Sequence, residues 1–269
     1  MTQADLTSLQ NPKIKQLVKL RERRERNNSQ QFIIEGYREL LRAHENNYFI
    51  QSLFYCDPLF LGSNEWSLIE SIRQSGVPCF SCTEAVFHKI SYRDRPDGLI
   101  AIAPQRHVPI EAIKLAKQNS LFIVAEGIEK PGNLGTILRS SDAAGIDGLI
   151  VCDQCTDLFN PNVVRASVGT LFTVPVIEDS SANTLKWLKA NNIPILAATP
   201  QAKSLYTEVD MRGPIAIAVG TEQIGLSELW MKESSLQVRI PMLGVADSLN
   251  VATATTLLLY EAVRQRSHG

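Results

Sequence analysis

Several features that would settle a protein's class are missing from this chain. No apolar stretch approaches the ~18 residues that a membrane-crossing helix requires, so no membrane partner is expected. The opening MTQADLTSLQNPKIKQ has no basic start followed by an apolar run, so no secretory signal is expected and a cytoplasmic location is. Cysteine is scarce: five residues, an odd number, which argues against a disulfide framework. Two C-x-x-C pairs occur, Cys79 with Cys82 and Cys152 with Cys155. They could make a four-thiolate zinc site or a redox pair, but about 70 residues separate them, against about 15–20 in a zinc ribbon. Cys152 also closes the apolar run GLIVC, which reads as a buried strand, so chance spacing and no metal are expected. There is no G-x-G-x-x-G after the first strand, no G-x-x-x-x-G-K-[ST], no H-E-x-x-H and no G-x-S-x-G. Those absences remove the usual dinucleotide site, the P-loop, the zincin helix and the hydrolase elbow. The four histidines, His44, His88, His107 and His268, are scattered and form no catalytic motif with a carboxylate partner.

A basic excess is missing too, since the formal net charge is −1. The average hides an asymmetry. Residues 1–108 carry 14 Lys and Arg against 12 Asp and Glu, whereas residues 109–269 carry 13 against 16. Residues 13–26, KIKQLVKLRERRER, hold seven basic and two acidic side chains. That segment is either a solvated helix face or an electrostatic contact for a polyanion such as RNA.

What is present is a foldable α/β chain. Its 269 residues, 44% of them hydrophobic, suit one large domain or two ordinary ones. Asn11-Pro12 marks a helix start, an N-cap followed by proline in the first turn, and Asn27-Asn28-Ser29 marks the end of that helix. FIIEG (32–36), IQSLFYC (50–56), VPCFSC (77–82) and GLIAIAP (98–104) read as strands, with helices over 37–47 and 64–76. A small α/β domain over residues 1–105 and a linker over 106–119 follow. Beyond it, six near-continuous apolar strands start at 121, 148, 173, 193, 215 and 236 and alternate with helical segments, the last over 248–266. That pattern predicts a parallel sheet covered on both faces, with ligands bound outside the carboxyl ends of its strands.

Three of those strand ends carry unusual loops. After LFIVAE, Gly132 and Gly135 bracket Asn133 at the start of a helix that also holds Arg139. After IAIAVG comes TEQIGLS, with Glu222 two residues past the strand. After LQVRIP comes MLGVADSLNVATATTLLLYEA, where Ser248 and Asn250 precede a helix of small residues. Taken together, NLGTILRSSDAAG (133–145), VGTEQIGLS (219–227) and IPMLGVADSLNVATATTLLLYEAVRQ (240–265) resemble, in order and spacing, the three motifs of the SpoU/TrmH branch of the SPOUT methyltransferases. NPNVVRASVGTLFTVPV (160–176) is a further family-like block. Residues 1–105, with FIIEGYRELLRA as the best segment, resemble the ribosomal-protein-like substrate-binding domain often placed before that catalytic domain.

The resemblance implies a knotted parallel-sheet catalytic domain over 120–269, its carboxyl-terminal chain threaded into a deep trefoil. It implies methylation of a ribose 2′-OH in RNA, ribosomal RNA favoured, with S-adenosylmethionine as donor and a homodimer as the working form. Asn133, Arg139, Glu222, Ser248 and Asn250 would be the catalytic set. Thr199, Gly220, Ile240 and Leu249 would contact the cofactor, largely through backbone groups. Arg139 is expected to clamp the substrate phosphate, because a guanidinium is too basic to serve easily as a base. Asn133 is expected to hold Arg139 or the ribose, and Glu222 to pair with an arginine or orient a loop. Arg165 is a candidate phosphate contact or a structural ion pair, and Glu126 and Glu129 are expected to be loop scaffolding. The alternatives are a transfer-RNA methyltransferase, a methyltransferase acting on a base or small molecule, and a non-catalytic RNA-binding or ribosome-assembly protein on the same fold.

Overall fold

A computed structural model of the chain describes residues 5–113, 115 and 119–267. Lys114, residues 116–118 of the expected linker, and His268 lie outside the described residues. The chain divides into two compact units, Met1–Arg106 with Asp157–Thr173, and His107–Thr156 with Val174–Gly269.

The first unit is built on helices α1 (Pro12–Lys19) and α2 (Arg23–Ser29), strand β1 (Gln31–Glu35), α3 (Tyr37–Glu45), β2 (Ser52–Tyr55), α4 (Glu65–Gln74), β3 (Cys79–Ser81), α5 (Glu84–Ile90) and β4 (Leu99–Pro104). Its sheet runs β1-β4-β2-β3; β4 is antiparallel to both of its neighbours and β3 is parallel to β2. Asn11 caps α1 as expected, accepting from the Lys13 amide at 2.9 Å. The single helix expected through to Ser29 is broken at residues 20–22, because the carbonyls of Leu20 and Arg21 turn to the Arg26 guanidinium at 2.9 and 2.8 Å. Arg26 itself is only 1% exposed and pairs with Asp157. One sheet face packs Ile33, Phe54, Ile100 and Ile102 against Ile14 and Leu17 of α1, Leu20 just beyond it, and Phe87 and Ile90 of α5. Phe32 projects from β1 to Phe159, with ring centroids 4.8 Å apart, and Tyr48 meets Phe172 at 4.9 Å. Asp157–Thr173, which the sequence division places within 120–269, is thus part of the first unit's core.

The second unit holds β5 (Leu121–Glu126), α6 (Pro131–Ala144) and β6 (Gly148–Cys152). The chain then visits the first unit through α7 (Pro161–Ser167) and returns as β7 (Val176–Asp179), α8 (Ser181–Ala190), β8 (Ile195–Ala198), β9 (Ser204–Leu205), β10 (Ile215–Val219), α9 (Glu228–Glu233), β11 (Leu236–Arg239) and α10 (Val251–Ser267). The seven strands pair in parallel throughout, in the order β7-β6-β5-β10-β8-β11-β9. Buried side chains of Phe122, Val124, Ile150, Ile195, Ala216 and Trp230 fill one side of this sheet. Burial on both faces explains why these strands read as continuous apolar runs rather than alternating ones. The centre of the order joins β5 to β10, where the earlier strands of the unit meet the later ones. Such a switch point leaves a crevice outside the strand ends.

Candidate active site

At the sheet's centre, β5 and β10 release their loops side by side. The β5 loop turns at once into α6, with Pro131 in its first turn. Asn133 is therefore the third helical residue rather than the N-cap, and its side chain is free of capping duty. After β10, Thr221 and Gly225 bond each other's backbone in both directions at 3.1 Å, closing a tight turn that carries Glu222. The Asn133 amide nitrogen donates to Oε1 of Glu222. On its other side, Asn250 donates from Nδ2 to Oδ1 of Asn133 at 3.1 Å. Asn250 is also the cap of α10, since its Oδ1 accepts from the Ala252 amide at 2.9 Å. Ser140 and Thr256, whose hydroxyls lie 2.7 Å apart, tie α6 to α10. Three of the five expected catalytic side chains, one from the first turn of α6 and two from loops, more than a hundred residues of chain apart at the extremes, form one hydrogen-bonded line.

That line is left incomplete. Oε2 of Glu222 is buried and has no hydrogen-bond partner among the described residues. Asn133 spends one N–H and one lone pair on its neighbours and keeps one of each. A buried acceptor with no donor is costly, so it marks a place for a ligand hydroxyl, amine or water. Of the alternatives expected, the arginine pairings are not found: Asn133 bonds Glu222 and Asn250 rather than Arg139, and Glu222 bonds an asparagine rather than an arginine. Arg139 lies six residues further along α6, exposed and with no ion pair or hydrogen bond among the described residues. Ser248 is likewise exposed and stands outside the line.

The residues expected at the cofactor gather by a simple rule. Thr199, Gly220 and Ile240 each follow immediately on β8, β10 and β11, three consecutive strands of the parallel sheet. Their backbones therefore emerge on one edge, and the Thr199 amide bonds the Val238 carbonyl at 2.9 Å. Leu249 belongs to the loop 240–250, where Leu243 and Val245 are fully exposed apolar side chains. Gly220 is required for a reason the sequence does not show. A Cβ there would lie 2.2 Å from the Gly225 carbonyl carbon and 2.3 Å from the Leu226 nitrogen, so the Glu222 turn itself occupies the space. Glu126 acts as scaffolding: its buried carboxylate accepts from the Ser227 amide at 2.8 Å and fixes the far end of the same loop. The Glu129 carbonyl accepts from Thr156.

The remaining singled-out residues lie elsewhere. Arg165 is an exposed residue of α7 in the first unit, with no ion pair among the described residues. Cys82 and Cys152 are buried thiols, each pushed up to about 12 chiefly by that burial, which disarms them as nucleophiles or redox groups. Among the described residues, no group of three or more His, Cys, Asp or Glu side chains could hold a metal ion. His107 does find a carboxylate in space, Oε2 of Glu178 at 2.8 Å, but on an exposed edge away from the three loops.

A parallel α/β unit with a polar line at its switch point and three bare strand ends beside it has the form of an enzyme domain for a small-molecule cofactor. Residues 120–260 match the model of the SpoU rRNA methylase family, and residues 11–101 match that of the MRM3-like substrate-binding domain. The chain belongs to the SpoU rRNA methylase family. It is 28% identical over 255 residues to the 23S rRNA (guanosine(2553)-2′-O)-methyltransferase RlmP of Bacillus subtilis, covering 95% of this chain and 97% of that one. The crystal structure of an RNA 2′-O ribose methyltransferase superposes with a TM-score of 0.85 at 41% identity, over 97% of this chain and 99% of its own. That of an AdoMet-bound rRNA methyltransferase from Sinorhizobium meliloti gives 0.88 at 30%, over 96% and 97%.

Proposed function

We propose that this protein methylates the 2′-OH of a ribose in RNA, ribosomal RNA in the first place, with S-adenosylmethionine as the methyl donor. The observation that carries the reading is the Asn250–Asn133–Glu222 line at the switch point, beside the ends of β8, β10 and β11. The donor set there fits the cofactor: backbone groups at Thr199, Gly220, Ile240 and Leu249 would hold it. The orphaned oxygen of Glu222 adds a buried acceptor. When bound, S-adenosylmethionine supplies an electrophilic methyl group.

The chain's own residues then have to position a poor nucleophile. Asn133, fixed from both sides, offers its remaining N–H and lone pair to the ribose. Arg139 donates two N–H groups to the phosphate beside the 2′-OH, a planar clamp that suits guanidinium geometry and keeps its proton. The hydroxyl proton has an acceptor in the unpartnered oxygen of Glu222, directly or through water. Ser248 closes the loop over the sugar. Orientation of this kind supplies much of the rate.

In this reading 120–269, apart from Asp157–Thr173 which packs within the first unit, is the catalytic domain, its carboxyl-terminal chain threaded as a deep trefoil knot, and 1–105 is the RNA-binding domain. The enzyme works in the cytoplasm as a homodimer through the catalytic domain. The exposed apolar side chains of Ile224, Leu243 and Val245 support the dimer, because such groups cluster where a second surface covers them. Tritiated methyl transfer to total RNA, followed by nucleoside analysis, tests the function. Label in 2′-O-methylnucleosides of ribosomal RNA is expected. Label on bases, label confined to transfer RNA, or no transfer would overturn it.

A further inference from the structure

The first unit contains a cavity of about 780 Å³, lined among others by Tyr37 and Arg38 at the start of α3, residues 61–65 before and into α4, Arg93, Arg95 and Asp97 of the loop before β4, and Arg165 of α7. Its charged groups include three exposed arginines, the exposed Asp94 and two buried carboxylates. Arg38, Arg95 and Arg165 are exposed and have neither hydrogen bond nor ion pair among the described residues. Glu65 and Asp97, at 4% and 8% exposure, are buried. Each of these carboxylates has one oxygen engaged: Oε1 of Glu65 accepts from the Gly62 amide at 2.7 Å, and Oδ2 of Asp97 accepts from the Tyr37 amide at 3.0 Å. The other oxygen of each, Oε2 of Glu65 and Oδ1 of Asp97, is buried with no partner among the described residues. Arg93 does not satisfy them, being committed to Glu39 at 2.7 Å and to the already occupied Oδ2 of Asp97 at 3.3 Å.

Two buried, unmatched acceptors sharing a cavity with three unpaired cations, which outnumber the one exposed carboxylate, Asp94, describe a ligand. It carries negative charge on its outer part and N–H donors on its inner part. A divalent metal ion meets neither condition, since the arginines repel it and no cluster of three ligating groups exists there among the described residues. We propose that this cavity takes one unpaired guanosine nucleotide of the RNA, its phosphate on Arg38, Arg95 and Arg165 and its base edge on Glu65 and Asp97. The proposal rests on RNA being the substrate. A nucleotide lies within the size range of ordinary ligand pockets. Unstacked bases in RNA are read on their Watson–Crick edges. Guanine alone presents a ring N–H beside an amino group there, with no acceptor between them. Uracil presents one N–H flanked by two carbonyls, which would face the carboxylates unfavourably.

The probes are guanosine and uridine 5′-monophosphate, titrated into the full chain with S-adenosylmethionine saturating so that the strand-end site is occupied. Guanosine monophosphate is expected to bind at least about tenfold more tightly than uridine monophosphate. Glu65→Gln and Asp97→Asn, each near-isosteric and each keeping an oxygen for its existing amide, should each erase that preference. Arg165→Gln should weaken both nucleotides alike. Equal binding of the two nucleotides, no binding of either at millimolar concentration, or an undiminished preference in a folded Glu65→Gln or Asp97→Asn variant overturns the pocket. The wild-type comparison decides the matter even if a carboxylate variant fails to fold. Methyl transfer to RNA is scored separately: transfer without guanosine preference sinks this pocket alone, and guanosine binding without transfer sinks the methylation reading alone.

Discussion

Arg139 and Asn133 sit on one helix but do different work. Asn133 is held at both ends by protein groups, whereas Arg139 is exposed and has no partner among the described residues. Arg139→Ala should therefore abolish methyl transfer while calorimetry finds S-adenosylmethionine affinity nearly unchanged. Arg139→Lys should fail almost as badly, since a point charge cannot replace a two-donor clamp; near-normal activity in that variant would argue against the clamp. Gly220 offers the opposite case. Its missing side chain makes room for the backbone of residues 225–226 rather than for a ligand. Gly220→Val should lower the thermal midpoint of the whole protein, with loss of cofactor affinity as a consequence. An unchanged midpoint with weakened binding would restore the simpler idea that a side chain there meets the adenosine. Asn133, Glu222 and Asn250 could be picked out from their places after strands and by family resemblance. Their mutual bonding could not, because it joins positions 133, 222 and 250 through a sheet order that no local pattern encodes.

Elements were the most legible level. Each apolar run in the second half became a strand of the parallel sheet within a few residues, because burial on both faces leaves a continuous signature. The two-residue strand β9 and the short helices α5, α7 and α9 left no such trace: six or seven residues do not complete two turns of periodicity. The break between α1 and α2 was hidden for another reason. It depends on Arg26 turning inward to Asp157, a partner 131 positions away. The same pair shows how the first unit depends on the later segment. Asp157→Ala leaves a buried guanidinium without its counter-charge, a change that typically costs about 3–5 kcal/mol. Denaturant unfolding should show a loss of that order, and a loss under about 1 kcal/mol would mean that the segment is only loosely attached. The basic segment also divides by role. Arg21 donates to the carbonyl of Lys89 at 2.8 Å, and Arg26 is buried, so neither is available to a polyanion. Lys15, Lys19 and Arg24 are exposed. Changing those three to Gln should lower the slope of log affinity against log salt concentration by up to about two, at about 0.7 per single-strand phosphate. The same slope in variant and parent would make the segment a solvated face.

At the scale of the whole molecule, the chain places a site of strand-end backbone and polar loops in one compact unit. In the other it places a basic segment and a polar cavity with exposed arginines. Net charge near zero concealed this division, since the cations are gathered rather than numerous. The central claim is that the switch-point line directs a methyl group onto a ribose oxygen. The most direct measurement treats ribosomal RNA with the enzyme and tritiated S-adenosylmethionine, then digests the RNA completely in alkali. A methylated 2′-oxygen cannot assist cleavage of its own phosphodiester, so label from the parent enzyme should survive as alkali-resistant dinucleotides. Asn133→Ala, which severs the line at its middle, should remove that label almost entirely. Label released as mononucleotides, or dinucleotide label undiminished by Asn133→Ala, would contradict the account.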